Sequence, residues 1–153
     1  MLMVDAAMPR RNKNERNRDN DEDNRSYAKG RNDAIHTLTR DKNQILRVDL
    51  QSFSGEQAYA MYSAFYIGDE ANKYILTVSG YNGTAVDSLG YHSCMKFTTK
   101  DWDNDMYSGS CAINNHGGWW FRACHPANLN GQYAQSAVSA WHYIVWQHCK
   151  GTE

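Results

Sequence analysis

From Tyr91 to Tyr133 the chain runs for about forty residues with neither a helical nor a strand period, rich in Gly, Asn, Asp and Trp. This stretch constrains the fold more than any other. Its backbone N–H and C=O groups cannot be satisfied by ladders, so something else has to staple it. Long segments of this kind inside a compact domain are commonly functional.

The acidic part of the stretch, FTTKDWDNDMYSGSCA at 97–112, sets Asp101, Asp103 and Asp105 at alternate positions. Carboxylates this close repel one another, so they share a cation or line a solvated loop. The EF-hand pattern fails in both frames: counting from Asp101, its sixth and twelfth places hold Met106 and Ala112, and from Asp103 they hold Ser108 and Asn114. Asp residues two apart still offer hard oxygens on one side of a turn, and Ser108-Gly109 permits the bend that would turn carbonyls inward. A calcium loop outside the EF-hand pattern is the stronger reading. The 4 cysteines, Cys94, Cys111, Cys124 and Cys149, contain no C-x-x-C pair and allow three disulfide pairings among which the sequence does not choose. His92, His125 and His148 lie next to or near three of them, but neighbours so close in sequence rarely reach one metal, so zinc is a minor alternative.

At 153 residues the chain is long enough for one domain. A formal net charge of -1, from 16 Lys+Arg against 17 Asp+Glu, gives no field to draw in nucleic acid. Arg10 to Asp33 is almost wholly polar and cannot offset its ordering entropy by burial, so residues 1–29 are expected to be a disordered tail and 30–153 the domain. A short helix is expected at Asn32–Arg40, where Ile35 and Leu38 share a face. Ile45–Leu50, Ala58–Ile67 and Lys73–Ser79 read as antiparallel strands, being short, aromatic or β-branched and bounded by turn residues. GYNGT at 80–84 holds the Asn-Gly pair that hairpin turns favour. Asn82-Gly83-Thr84 and Asn24-Arg25-Ser26 are also glycosylation acceptor triplets. The sum is a loop-rich, largely β domain with large aromatic anchors, 5 Trp and 10 Tyr.

No run of about 18 apolar residues exists to span a bilayer. MLMVDAAMPRR at the N-terminus lacks the apolar run of a secretory signal. Nothing matches G-x-S-x-G or H-E-x-x-H, and the acidic residues are spaced for a metal rather than facing each other across a cleft, so the chain is not expected to be an enzyme.

The string from Lys96 to Tyr133, KFTTKDWDNDMYSGSCAINNHGGWWFRACHPANLNGQY, closely resembles the fibrinogen C-terminal domain of fibrinogen chains, ficolins, tachylectins, tenascins and angiopoietins. F-[ST]-T-x-D, D-x-D-N-D, Cys-Ala, G-x-W-W, C-H and N-L-N-G-x-Y stand in family order, and similarity extends over roughly Gly30 to Gly151. The resemblance implies one Ca2+ held by the carboxylates of Asp103 and Asp105 and the carbonyls of Tyr107 and Gly109, with Asp101 a helper. It also implies a Cys111–Cys124 disulfide, and a ligand pocket beside the loop in which His125 takes the place of the family's histidine. A cis peptide before Cys124 is part of the same expectation. Asn115 stands where lectin members carry Tyr, with Trp141 as the further aromatic; Asn115 could bond a sugar amide but loses apolar wall. Trp119 and Trp120 are assigned to packing. Cys94 and Cys149 fall outside the family pattern and either bridge or stay free.

The fold that the resemblance implies is α+β and fibrinogen C-terminal-like, an antiparallel sheet with short helices and a loop-rich calcium and ligand subdomain. The family's disulfide-bearing N-terminal part and returning final strand have no counterpart in this chain, so a partial domain with open sheet edges is expected. The implied function is a secreted, calcium-dependent, lectin-like recognition domain binding glycans or acetylated groups, with homo-oligomers possible. The alternatives are a protein-interaction module of matrix or signalling proteins with a vestigial pocket, and an inactive fragment.

Overall fold

The computed structural model describes residues 2–5, 22–136 and 140–147. Its main sheet has four strands in the order β1-β2-β3-β4: β1 Leu2–Asp5, β2 Gln44–Gln51, β3 Gln57–Ile67 and β4 Leu76–Gly83. Pairing is antiparallel between β2 and β3 and between β3 and β4, whereas β1 lies parallel to β2, Leu2 opposite Leu46. Helix α1, Glu22–Thr39, precedes β2. A four-residue helix α2, Cys111–Asn114, and a small pair β5 Ala127–Asn128 with β6 Val145–Trp146 complete the regular structure. Among the described residues no helix is long and apolar enough to cross a membrane.

The N-terminal segment departs from expectation in two places. β1 covers the β2 edge that was expected to be open, and the expected helix at 32–40 is the second half of a longer one that begins at Glu22, inside the stretch read as disordered. The inward stripe of α1 is Ala28, Asn32, Ile35 and Thr39, spaced i, i+4, i+7, i+11, and two of the four are polar. That mixture hides the helix from a hydrophobic count. Thr39 is buried because its hydroxyl bonds the Ile35 carbonyl (2.9 Å) and accepts the Ile67 N–H (3.4 Å), and Tyr74 Oη donates to Asp33 (2.7 Å). Polar contacts therefore dock the helix as much as apolar ones do.

β3 carries a bulge. Gln44 pairs Phe65 and Leu46 pairs Tyr62, so Ser63 and Ala64 together oppose Ile45. The inward face accordingly changes from Ala60 and Tyr62 to Phe65 and Ile67. The strand expected at Lys73–Ser79 starts three residues later, because Lys73 and Tyr74 take left-handed φ of 55° and 52° and end a turn. No tight hairpin forms at Asn82-Gly83: neither residue has positive φ, and β4 runs through Gly83. Glycine is required there because a Cβ would stand 2.2 Å from the Tyr59 carbonyl oxygen.

Phe97, Trp119, Trp120 and Phe121 pack into the core beside Leu76 and Tyr74, with the Trp119 and Trp120 rings edge to face at 5.1 Å. Trp120 Nε1 donates to the Tyr74 carbonyl (2.7 Å), so the tryptophans are packing residues, as expected. His92 is fully buried beneath them, its Nδ1 bonded to the Trp120 carbonyl (2.7 Å) and its Nε2 to the Ala127 N–H (3.4 Å). The aperiodic segment is held by such bonds and by the Cys111–Cys124 disulfide, with Cα atoms 5.3 Å apart. Among the described residues no peptide bond is cis, so the cis bond expected before Cys124 is absent; Cys124 instead adopts a left-handed φ of 62°. Cys94 is a free, exposed thiol, and Cys149 lies outside the described residues.

Candidate functional site: the acidic loop and the His125 pocket

The acidic loop is pinned by the residue between its two carboxylates. Asn104 donates to the Phe97 carbonyl (2.9 Å), accepts from Lys73 Nζ (2.7 Å) and bonds the Thr98 hydroxyl through its own N–H (3.1 Å). With Asn104 held, Asp103 and Asp105 are free to organise the other side. Asp103 Oδ1 accepts the Asp105 N–H (3.0 Å), while Asp105 accepts the N–H of Tyr107 on Oδ1 and of Cys111 on Oδ2 (both 2.9 Å). Ser110 caps α2 by accepting the Ile113 N–H, and Met106 donates to the Arg122 carbonyl (2.7 Å). The disulfide then ties the start of α2 to Cys124.

Burial raises the pKa of Asp105 against the lowering effect of its two N–H bonds, and the nearby Asp103 charge raises it further. Among the described residues no cationic side chain pairs with either carboxylate. No described group donates to the carbonyl of Tyr107 or Gly109, and both residues are exposed. Two carboxylates with spare lone pairs and two uncommitted carbonyls are the hard donors that calcium takes. Among the described residues no three His, Cys, Asp or Glu side chains converge, so a cation here would depend on backbone oxygens and water. Asp101 is turned away, accepting from the Thr99 hydroxyl (2.6 Å).

The structure brings Asn115, His125 and Trp141 together. Asn115 is buried, its Nδ2 donating to the Cys111 carbonyl (2.8 Å) and its Oδ1 facing His125 Nε2 at 2.9 Å. Because the Cys111 carbonyl demands a donor, Asn115 must present its oxygen to the imidazole, and Nε2 carries the proton. Asn115 thus holds the histidine, with both ends of its amide engaged inside the chain, where the sequence suggested contact with a sugar.

His125 has its ring 5.6 Å from Phe121 and 6.0 Å from Trp141, the latter edge to face. Burial lowers its pKa, partly opposed by a contact of the ring with the Trp141 backbone, so the ring is neutral near pH 7. Nδ1 is buried without a hydrogen-bond partner among the described residues. Trp141 is 59% exposed and positioned by the pairing of Gln132 with the 142–144 backbone. Phe121, fully buried against the His125 ring, is a neighbour that the sequence did not single out, since in the run Trp119-Trp120-Phe121 nothing separates it from the other core positions.

Residues 15–153 match the model of the C-terminal globular domain of fibrinogen beta and gamma chains. Fibrinogen C domain-containing protein 1-A of Xenopus laevis is 53% identical over 104 residues, covering 65% of this chain and 23% of that protein. Human fibroleukin is 51% identical over 108 residues (67% of this chain, 25% of the relative), and tenascin-R of Gallus gallus 44% over 121 residues (79% and 9%). The chain therefore spans a quarter or less of these relatives' lengths. Among solved structures, the fibrinogen-like globe domain of human ANGPTL6 superposes with a TM-score of 0.72 at 36% identity, covering 75% of this chain and 53% of that one. A lamprey fibrin D-dimer complexed with the peptide Gly-His-Arg-Pro-amide gives 0.68 at 32% identity, covering 75% and 43%. The chain belongs to the fibrinogen C-terminal globular domain family, whose members are recognition and adhesion domains and not enzymes.

Proposed function

We propose that this chain is an extracellular recognition domain that takes an N-acetylated group, such as those of glycans, in the His125 pocket, beside a loop ordered by calcium. The observation that carries this reading is the buried, unpartnered Nδ1 of neutral His125 next to the exposed Trp141 ring. A buried acceptor without a donor costs about 1–3 kcal/mol, which a ligand N–H recovers. An acetamido group offers that N–H together with a methyl that an aromatic face can cover. Asp103, Asp105 and the carbonyls of Tyr107 and Gly109 would hold the calcium, whose role is to fix the loop that leads through Cys111 into the pocket. The disulfide suits an oxidising, extracellular setting.

Retention on N-acetylated resin in calcium, with elution by N-acetylglucosamine or acetate and not by glucose, is the expected result. Trp141→Ala, at an exposed position, should lose retention while keeping its melting temperature. Folded, calcium-loaded protein that ignores the resin would overturn the reading. It would favour a second one, a pocket or surface for a protein partner, which draws on the engagement of Asn115 inside the chain and on the peptide bound by the lamprey relative.

A further inference from the structure

We propose that Asn82 is an N-glycosylation site, and that its glycan covers the open end of the sheet at β4. The triplet Asn82-Gly83-Thr84 has the acceptor pattern with Thr at its third place and no Pro between. Asn82 is exposed, and no described group bonds its side-chain amide. Thr84 is exposed too; its hydroxyl accepts the Tyr59 N–H (3.1 Å) only once β3 and β4 have met. It is free in the chain as it enters an oxidising compartment, when modification takes place. The other triplet, Asn24-Arg25-Ser26, carries Ser in place of Thr and lies within α1.

The position also answers a structural need. β4 is the last strand of the sheet, and its outer edge is met only at its start: Leu76 exchanges bonds with Met95 and Cys94, and Val78 with the Ser93 hydroxyl. From Ser79 to Gly83 no described backbone group outside the sheet bonds the strand, and Tyr81 and Val86 beside it are exposed. An uncovered strand end flanked by apolar side chains invites pairing with another chain. A bulky, hydrated glycan at the next-to-last residue of the strand blocks that approach. In the transfer by the compartment's glycosyltransferase, the Asn82 amide nitrogen bonds C1 of the sugar as the C1–O bond to a lipid-linked pyrophosphate breaks; the pyrophosphate leaves with that bonding pair, and the proton lost from the amide nitrogen passes to a base and then to solvent.

The proposal rests on the extracellular reading, so its test supplies the compartment independently. The full chain is expressed in eukaryotic cells behind a secretory leader and, in parallel, without one, and each product is mass-mapped before and after amidase removal of N-glycans. Expected for the leader form is one amidase-sensitive glycan on the peptide containing Asn82, lost in Asn82→Gln and in Thr84→Ala, and kept in Thr84→Ser and Asn24→Gln. A secreted, unmodified Asn82 overturns the site and leaves the extracellular reading standing; the leaderless form serves as the unmodified reference for the mass map. Light scattering then reads the second half: Asn82→Gln should associate at concentrations where the glycosylated protein stays monomeric, and identical behaviour overturns the covering role.

Discussion

His92 shows how one residue can tie stability to pH without taking part in recognition. Its Nδ1–H donates to the Trp120 carbonyl and its Nε2 lone pair accepts the Ala127 N–H, so only the neutral ring satisfies both neighbours. Burial lowers its pKa to about 4, with the Trp120 carbonyl bond opposing that shift and the nearby His125 adding to it. The unfolded chain takes up a proton below about pH 6.5, whereas the folded chain does so only near its depressed value. Stability is therefore complete above about pH 6.5, falls through the window between the two values, and levels off below it, a loss of about 3 kcal/mol. Denaturant unfolding measured from pH 7.5 to 4 should show this slope, and His92→Gln should flatten it; an unchanged slope would assign the effect elsewhere. Asn115 offers a second expectation. Asn115→Ala removes the acceptor for Nε2 and the donor to the Cys111 carbonyl, at a cost of about 1–3 kcal/mol. The imidazole nitrogen shifts of His125 should then lose the fixed Nε2–H signature, and retention on acetylated resin should fall although Asn115 touches no ligand.

The β3–β4 pair and the disulfide-bonded segment differ in how far their sequences disclose them. Strand existence was readable in ILRVDL and AYAMYSAFYI because β-branched and aromatic residues cluster there, and β2 and β3 fall within one residue of the expected bounds. The β4 start was not, since Lys73 and Tyr74 look like strand residues; their left-handed turn is closed by the bonds of Lys73 N–H to the Glu70 carbonyl and Tyr74 N–H to the Asp69 carbonyl, and held by the Tyr74 carbonyl on Trp120. The bulge at Ser63 and Ala64 likewise depends on pairing with β2 and leaves no local mark. The bridge between Cys111 and Cys124 came from resemblance, because four cysteines leave three pairings open. Gly83 supplies the test at this level. Gly83→Ala drives a Cβ against the Tyr59 carbonyl and should cost about 1–3 kcal/mol, read as a fall in the denaturation midpoint.

Across the whole molecule, two regions of unlike construction meet: a ladder-bonded sheet with α1, and an aperiodic segment whose order comes from a disulfide, buried aromatic rings and side-chain bonds to backbone. The second region has few bonds that survive loss of its staples, so cation and cross-link should act on it together. Cys111→Ser/Cys124→Ser opens the loop from Cys111 to Cys124 and should lower stability by about 3 kcal/mol on a loop-entropy estimate. Under the proposed function, calcium would act on the same segment from its other end, through Asp103 and Asp105. A cation at about a hundredfold excess over its dissociation constant adds about 2.7 kcal/mol, enough to raise the melting temperature of a chain this size by about 5–10 °C. Calorimetry of the oxidised protein in calcium and in chelator should show that rise, and Asp103→Ala/Asp105→Ala should abolish it while leaving the chelator curve in place. The disulfide-free variant should show a smaller rise, because part of the binding free energy is then spent ordering the loop. Equal shifts in the wild type and the carboxylate variant would place the cation elsewhere and remove the loop from the recognition site.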